Sequence, residues 1–396
     1  MDVTIPAHNL RTLSSALSTL SKIGKYLYIE FDPLAGVTFR TLNDGKSSFA
    51  QFQFDVGFFE RCVSPPETNL KRRVRSKENG RDTGTSTSGG RRKRGRSQTQ
   101  TQTQDNDIDE EKYLCRVLIR TISSIMGARK GLQSLRIRSL GSTSATSQNE
   151  SDENESDGDN SSACTGTDAS EKIELRMQLS FEFRIQSEDG IMRITHKVGV
   201  SETESVVAEA SRSGCSEIVA APRVLLKMID PVKSSEIALI VNDEEKKVTA
   251  TSFHYADANI TKNLVLSASA AAVLKTETSI GCDEFDEFVF SDDFDDEDAP
   301  EGAEKEVALV FSTKEARAMI QFCAQENSDD ELRTIVSFHY GGRPIVIETE
   351  GDSYKGEVML STIAHRLLNG VDLTSRQQKS NRSRNSTSNL SRSERS

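Results

Sequence analysis

Five histidines, His8, His196, His254, His339 and His365, are dispersed along the 396 residues, and none stands at ligand spacing from another. Six cysteines, Cys62, Cys115, Cys164, Cys215, Cys282 and Cys323, form no C-x-x-C pair, which argues against a zinc or dithiol redox site and for a reducing compartment. Carboxylates are plentiful. Their densest runs, 150–159 and 283–306, lie in polar stretches without the apolar period that would hold them rigid, whereas a two-metal nuclease needs its carboxylates fixed a few ångström apart. No G-x-x-x-x-G-K-[ST] or strand-linked G-x-G-x-x-G occurs. Catalysis therefore has no visible machinery, and neither a metal nor another cofactor is expected.

What remains is a set of cations at helical spacing. Leu10, Leu13, Leu17 and Leu20 step along one face of a segment whose other face carries Arg11, Ser14, Ser15, Ser18 and Lys22, with Lys25 just beyond. A short helix capped by Thr121 turns Ile122, Ile125 and Met126 inward and has Arg129 and Lys130 past its end. A third, with Pro222 in its first turn, places Arg223 and Lys227 on its wet side and Lys233 downstream. The fourth sets Lys314, Arg317 and Gln321 against Ala316, Met319, Ile320 and Cys323. Surface helices often carry Lys and Arg, so spacing alone does not distinguish a binding face from a solvated one. If all four lie side by side, they make a positive strip that takes DNA phosphates without reading sequence, on a chain whose net charge is -11.

The elements that would position these cations read as α+β. After the first helix, 26–31, 37–42 and 49–54 alternate as strands across turns at 32–36 and 43–45, and helix, strand, turn, strand recurs at 314–349. Length predicts two or three domains, and a hydrophobic content of 35% predicts that part of the chain never packs. The division is an N-terminal domain over 1–200, interrupted by disordered insertions at about 64–110 and 141–170, then a connector over 201–214. A C-terminal domain over 215–364 carries an acidic insertion at about 283–306, and 365–396 forms a mobile Ser/Arg tail. The acidic, aromatic pattern of 283–306 suits a partner-binding segment, although its first part could equally be an irregular edge strand. The serines of 141–170 suit either a solubilising loop or an acid-directed kinase. The basic run Arg91, Arg92, Lys93 and Arg94 suits nuclear import, a solvated charge run or contact with DNA backbone. No leader is expected, and no stretch approaches the roughly 20 apolar residues needed to span a bilayer.

Several ordered strings are similar to a known family. Leu20-Ser21-Lys22-Ile23-Gly24, Leu27-Tyr28-Ile29-Glu30, Phe39-Arg40-Thr41-Leu42-Asn43 and Ser48-Phe49-Ala50 resemble the start of the Rad9 family of checkpoint sliding-clamp subunits. Cys115-Arg116-Val117-Leu118-Ile119-Arg120, Ala221-Pro222-Arg223-Val224-Leu225, Lys314-Glu315-Ala316-Arg317 and Gly342-Arg343-Pro344-Ile345 continue the match. The resemblance implies the fold of proliferating cell nuclear antigen, with two similar domains, antiparallel sheets outside and two helices per domain lining a basic inner face. It implies a heterotrimeric ring with two other checkpoint clamp subunits around double-stranded DNA in the nucleus. An ATP-driven clamp loader would place the ring, which then promotes kinase activation and supports a checkpoint mediator and repair enzymes. The resemblance also implies a phosphorylated tail that recruits a mediator; Ser391, Ser393 and Ser396 stand here among arginines without an acidic kinase-directed context, so either they or the acidic insertions are the expected phosphorylation sites. Three other readings remain: a replicative-type homotrimeric clamp, a metal-dependent 3'-5' exonuclease to which no residue can be assigned, and an acidic histone-chaperone-like scaffold.

Overall fold

The computed structural model describes residues 1–63, 112–127, 131–140, 177–188, 190–253, 275–291, 305–326 and 332–368. β1 (Asp2–Pro6) leads through a 3-10 turn into α1 (Leu10–Ile23), which buries Leu10, Leu13, Ala16, Leu17, Leu20 and Ile23 at the predicted period. Gly24 ends it in an extended conformation. A Cβ there would stand 2.0 Å from Thr41 Oγ1 and 2.7 Å from Leu42 O, so the close passage of the next hairpin requires glycine. β2 (Tyr26–Asp32), β3 (Gly36–Leu42) and β4 (Ser48–Phe54) form the expected meander. β5 (Arg61–Val63) and β6 (Tyr113–Leu118) follow, then α2 (Ile119–Ile125), β7 (Leu132–Leu140), β8 (Met177–Ser187) and β9 (Gly190–Glu202).

The second half repeats that order element for element. β10 (Ser216–Ala220), α3 (Pro222–Ile229), β11 (Glu236–Asn242), β12 (Lys247–Phe253), β13 (Glu277–Gly281) and β14 (Glu287–Val289) come first. β15 (Glu306–Ser312), α4 (Thr313–Glu326), β16 (Thr334–Phe338), β17 (Ile345–Gly351) and β18 (Tyr354–Leu360) complete it. Pairing repeats as well as order. β4-β3-β2-β6 corresponds to β13-β12-β11-β15, and β5-β1-β7-β8-β9 to β14-β10-β16-β17-β18, all antiparallel. One difference is that β6 and β9 share a short ladder at Arg116–Ser201 and Cys115–Glu202, for which β15 and β18 have no equivalent.

The halves are joined through β4 and β18, which pair along their full length from Ser48–Leu360 to Phe54–Tyr354 and make one 14-stranded sheet. Beneath that seam the Phe52 ring of the first half meets Phe322 of α4 at 4.7 Å, edge to face. Gly356, opposite Phe52, leaves room for the ring: a Cβ would sit 2.5 Å from it. On the outer face a polar row crosses the seam, because Arg40, Gln51, Glu357 and Glu348 are register partners on β3, β4, β18 and β17. Gln51 Nε2 donates to Glu357 at 2.5 Å, and Arg40 pairs with Glu30. The connector lies along this row. Ser205 Oγ donates to Glu30 at 3.2 Å, and Arg212 grips Glu348 with two bonds of 2.7 Å and reaches Glu357 at 3.3 Å.

Some boundaries differ from expectation. α2 starts at Ile119 directly out of β6, with no side-chain cap, so Thr121 lies inside the helix. Ser201 and Glu202 end β9, because they pair with β6, and the connector is shorter than 201–214. Residues 283–291 belong to the fold: Phe285 is buried and β14 pairs with β10, which makes this start of the acidic stretch an edge strand. The tail begins later than 365, since α5 (His365–Leu368) buries Leu368 beside Ala238, Phe253 and Val310. The insertions 64–110 and 141–170 lie outside the described residues.

Burial below the seam yields a stability prediction. Phe52→Ala removes a fully buried ring and should cost about 3–5 kcal/mol in urea unfolding. Leu34→Ala, 76% exposed in a turn, should change stability by less than ~0.5 kcal/mol.

Candidate nucleic-acid interface

The four helices form a single layer in the order α2, α1, α4, α3. Each buries its apolar stripe against the sheets, leaving the opposite stripe outward. α1 and α4 meet at the middle of the layer through polar contacts. Arg11 Nη2 donates to the Gln325 carbonyl at 3.0 Å, Thr12 Oγ1 to Glu326 at 2.6 Å, Ser15 Oγ to Gln325 at 3.1 Å, and Lys22 Nζ to Gln321 at 3.4 Å.

Charge on this layer is segregated. The four helices contain Arg11, Lys22, Arg120, Arg223, Lys227, Lys314 and Arg317, against only Glu315, which is buried, and Glu326, which receives Thr12. A chain of net charge -11 thus keeps carboxylates almost wholly off one face. Arg11, Arg223, Lys227 and Lys314 are exposed there, and Lys22 is half-buried. Lys25 and Lys233 are exposed just past the ends of α1 and α3, with the Lys25 ammonium 5.4 Å from the Tyr26 ring centre.

One expectation changes. Arg317 is committed to structure: its Nη2 donates to the Ile229 and Val232 carbonyls at 3.1 and 2.6 Å, and its Nε lies 3.2 Å from Asp230 Oδ1. It satisfies the carbonyl end of α3 and locks α3 to α4, leaving little to offer a phosphate. Arg129 and Lys130 lie outside the described residues, as do Arg91, Arg92, Lys93, Arg94, Ser391, Ser393 and Ser396. Within the described residues α2 presents Arg120, exposed and overlooked in the sequence because Thr121 reads as a helix cap; the i, i+3 pair Ile119 and Ile122 is the signal that would have found it.

The scattered titratable groups have local roles. His339 Nε2 lies 3.3 Å from the Ser211 carbonyl in the connector, and His365 stands edge-on to Tyr340. Burial pushes Glu348 up, but Arg212 and Lys355 outweigh it and hold the carboxyl below its usual range. In Glu357 burial prevails over Arg212, and its carboxyl lies above that range. Among the described residues, no group of three or more His, Cys, Asp or Glu side chains could hold a metal ion.

An array of helices on one side of a twice-repeated antiparallel sheet system is the architecture of a DNA sliding clamp. Solved clamps share it. The proliferating cell nuclear antigen (PCNA) of Thermococcus kodakaraensis superposes with a TM-score of 0.51 at 9% identity, covering 91% of this chain and 99% of that one. A PCNA2–PCNA3 complex from Sulfolobus tokodaii gives 0.51 at 9% identity, over 92% and 100%. Within that class, the Rad9 family model matches residues 13–363, and the chain belongs to the Rad9 family.

Two substitutions separate structural from surface cations. Arg317→Ala should lower stability by about 1–3 kcal/mol, while Lys314→Ala, exposed on the same helix, stays within ~0.5 kcal/mol. Arg212→Ala should cost a similar ~1–3 kcal/mol at neutral pH. Since Glu348 is depressed in the fold, its stabilisation is present above the unfolded carboxyl value of about 4.3 and lost as pH falls through the folded one. The deficit of Arg212→Ala against the parent, measured by urea unfolding across pH, should therefore shrink below that point.

Proposed function

We propose that this chain is one subunit of a heterotrimeric checkpoint clamp that encircles double-stranded DNA in the nucleus. A clamp loader places the ring, which promotes checkpoint kinase activation and serves a mediator and repair enzymes as a non-enzymatic platform. The observation that carries the reading is the helix layer, whose outward side bears Arg11, Arg120, Arg223, Lys227 and Lys314, with Lys22 half-buried at the α1–α4 junction and Lys25 and Lys233 just past the ends of α1 and α3. Cations spread over four helices hold phosphates loosely and without sequence preference, so the ring can slide. The run 91–94 serves as the import signal in this reading.

The repeat supports ring formation. At the seam, the last strand of the second half pairs with the third sheet strand of the first. Applying the same rule outward leaves two complementary edges, β9 in the first half and β13 in the second. Over Gly190–Val200, β9 is paired only with β8, and β13 only with β12, among the described residues. The helix order repeats in the same sense. Such head-to-tail edges close into a ring when the rotation allows. The seam joins two seven-residue strands, whereas β9 runs Gly190–Glu202 and β13 Glu277–Gly281, so the two edges suit different neighbours better than each other.

Native mass measurement of the purified complex tests the composition: two different companion chains are expected, and a ring of three identical copies would replace this reading with the homotrimeric one. On nicked circular plasmid the loaded complex should survive high salt and run off after the circle is cut. Lys22→Glu with Lys227→Glu and Lys314→Glu should reduce the salt slope of duplex binding by about 1 for each phosphate no longer neutralised. Equal retention on cut and uncut plasmid, or an unchanged slope, would count against encirclement by this face.

A further inference from the structure

A second basic surface lies on the other side of the protein from the helix layer. The sheet β5-β1-β7-β8-β9 turns Val3, Ile5, Leu135, Ile137, Leu179, Phe181 and Phe183 into the core. Strand alternation therefore turns Arg61, Arg136, Arg138, Arg184, Arg193 and Lys197 to the opposite face. Register places them side by side: Arg61 and Arg136 flank Thr4, Arg138 and Lys197 flank Ser180, and Arg184 stands directly opposite Arg193. Among the described residues of the array, only Asp2 and Glu182 oppose these six cations.

Those carboxylates are oversubscribed. Asp2 takes two bonds from Arg136, at 2.7 and 2.6 Å, with Arg61 at 3.7 Å. Glu182, whose side chain is 10% exposed, has Arg138, Arg193 and Arg184 at 3.4, 3.8 and 3.9 Å. Among the described residues, three guanidiniums around one carboxylate leave positive charge in excess. The facing pair Arg184 and Arg193, with side chains 46% and 65% exposed, sets like charges opposite each other, and the carboxylate beside both, Glu182, is shared with Arg138, so a further anion would relieve the repulsion.

We propose that this outer face, centred on Arg184, Arg193 and Lys197, docks an acidic phosphopeptide of a partner protein. Guanidinium forks match phosphate and carboxylate in bidentate geometry, and five of the six cations are arginine. Asp2 and Glu182 divide the array into two clusters, which suits separate phosphate and carboxylate groups rather than the unbroken charge of a nucleic-acid backbone. Nor does the array present an aromatic side chain on which bases could stack.

A fluorescein-labelled peptide of alternating aspartate and phosphoserine, titrated into the full-length chain and followed by anisotropy, tests the assignment. Arg184→Gln with Arg193→Gln and Lys197→Gln should weaken binding about tenfold at an unchanged melting temperature. Lys22→Glu with Lys227→Glu, on the helix layer, should leave it unchanged. If the triple variant melts early, Arg193→Gln alone should still weaken binding by about threefold. Failure of the parent to bind the peptide, equal binding by the variants, or binding of a single-stranded oligonucleotide but not the peptide with the same arginine dependence would overturn the assignment.

Discussion

The ladder between β4 and β18 is the constraint on which the rest of the structure depends. It fuses two repeats into one continuous sheet, and because α1 and α4 pack beneath it, the register of those strands also sets where the helices lie. A one-residue slip would turn Phe52 outward and Gln51 into the core, destroying both the aromatic contact with Phe322 and the outer polar row. The seam is thus specified from both faces, by packing below and by charge above. The connector gripped by Arg212 ties the same strands together once more.

From that geometry follows the distribution of charge. Helices packed side by side share one outward surface, and the chain places arginine and lysine there while acidic residues are concentrated elsewhere. Arg317 shows that position on such a face is not enough to define a role. Two residues of the same helix, Lys314 and Arg317, have separate fates, because Arg317 lies within reach of the free carbonyls ending α3 and Lys314 does not. The outer sheet obeys a different periodicity, alternation by twos, and collects its own arginines by strand register.

Much of this was legible in the residue order. The period of Leu10, Leu13, Leu17 and Leu20 fixes α1 and its buried stripe, and Pro222 marks the first turn of α3. Strings spread along the chain carry the family resemblance that the family model bears out. Other features were hidden for physical reasons. Arg120 was missed because α2 continues from β6 without a capping side chain to announce it. The row Arg40, Gln51, Glu357 and Glu348 joins residues up to 317 positions apart in sequence, 357 less 40, and only pairing reveals it. Phe285 and Phe288 sit in an acidic run that reads equally as a partner-binding segment or, at its start, an irregular edge strand, and only the burial of Phe285 and the pairing of β14 decide for the strand.

Closure of a ring by the pairing seen at the seam depends on the two edges that β9 and β13 leave open. Amide hydrogen exchange, followed on the chain alone and in the assembled complex, reads those edges without reference to DNA. Amides of β9 within Gly190–Val200 and of β13 within Glu277–Gly281 should become protected together on assembly, while β4 and β18 are slow in both states. Unchanged exchange at β9 and β13 in a complex that has formed would contradict this, because the repeat would then not be what closes the ring.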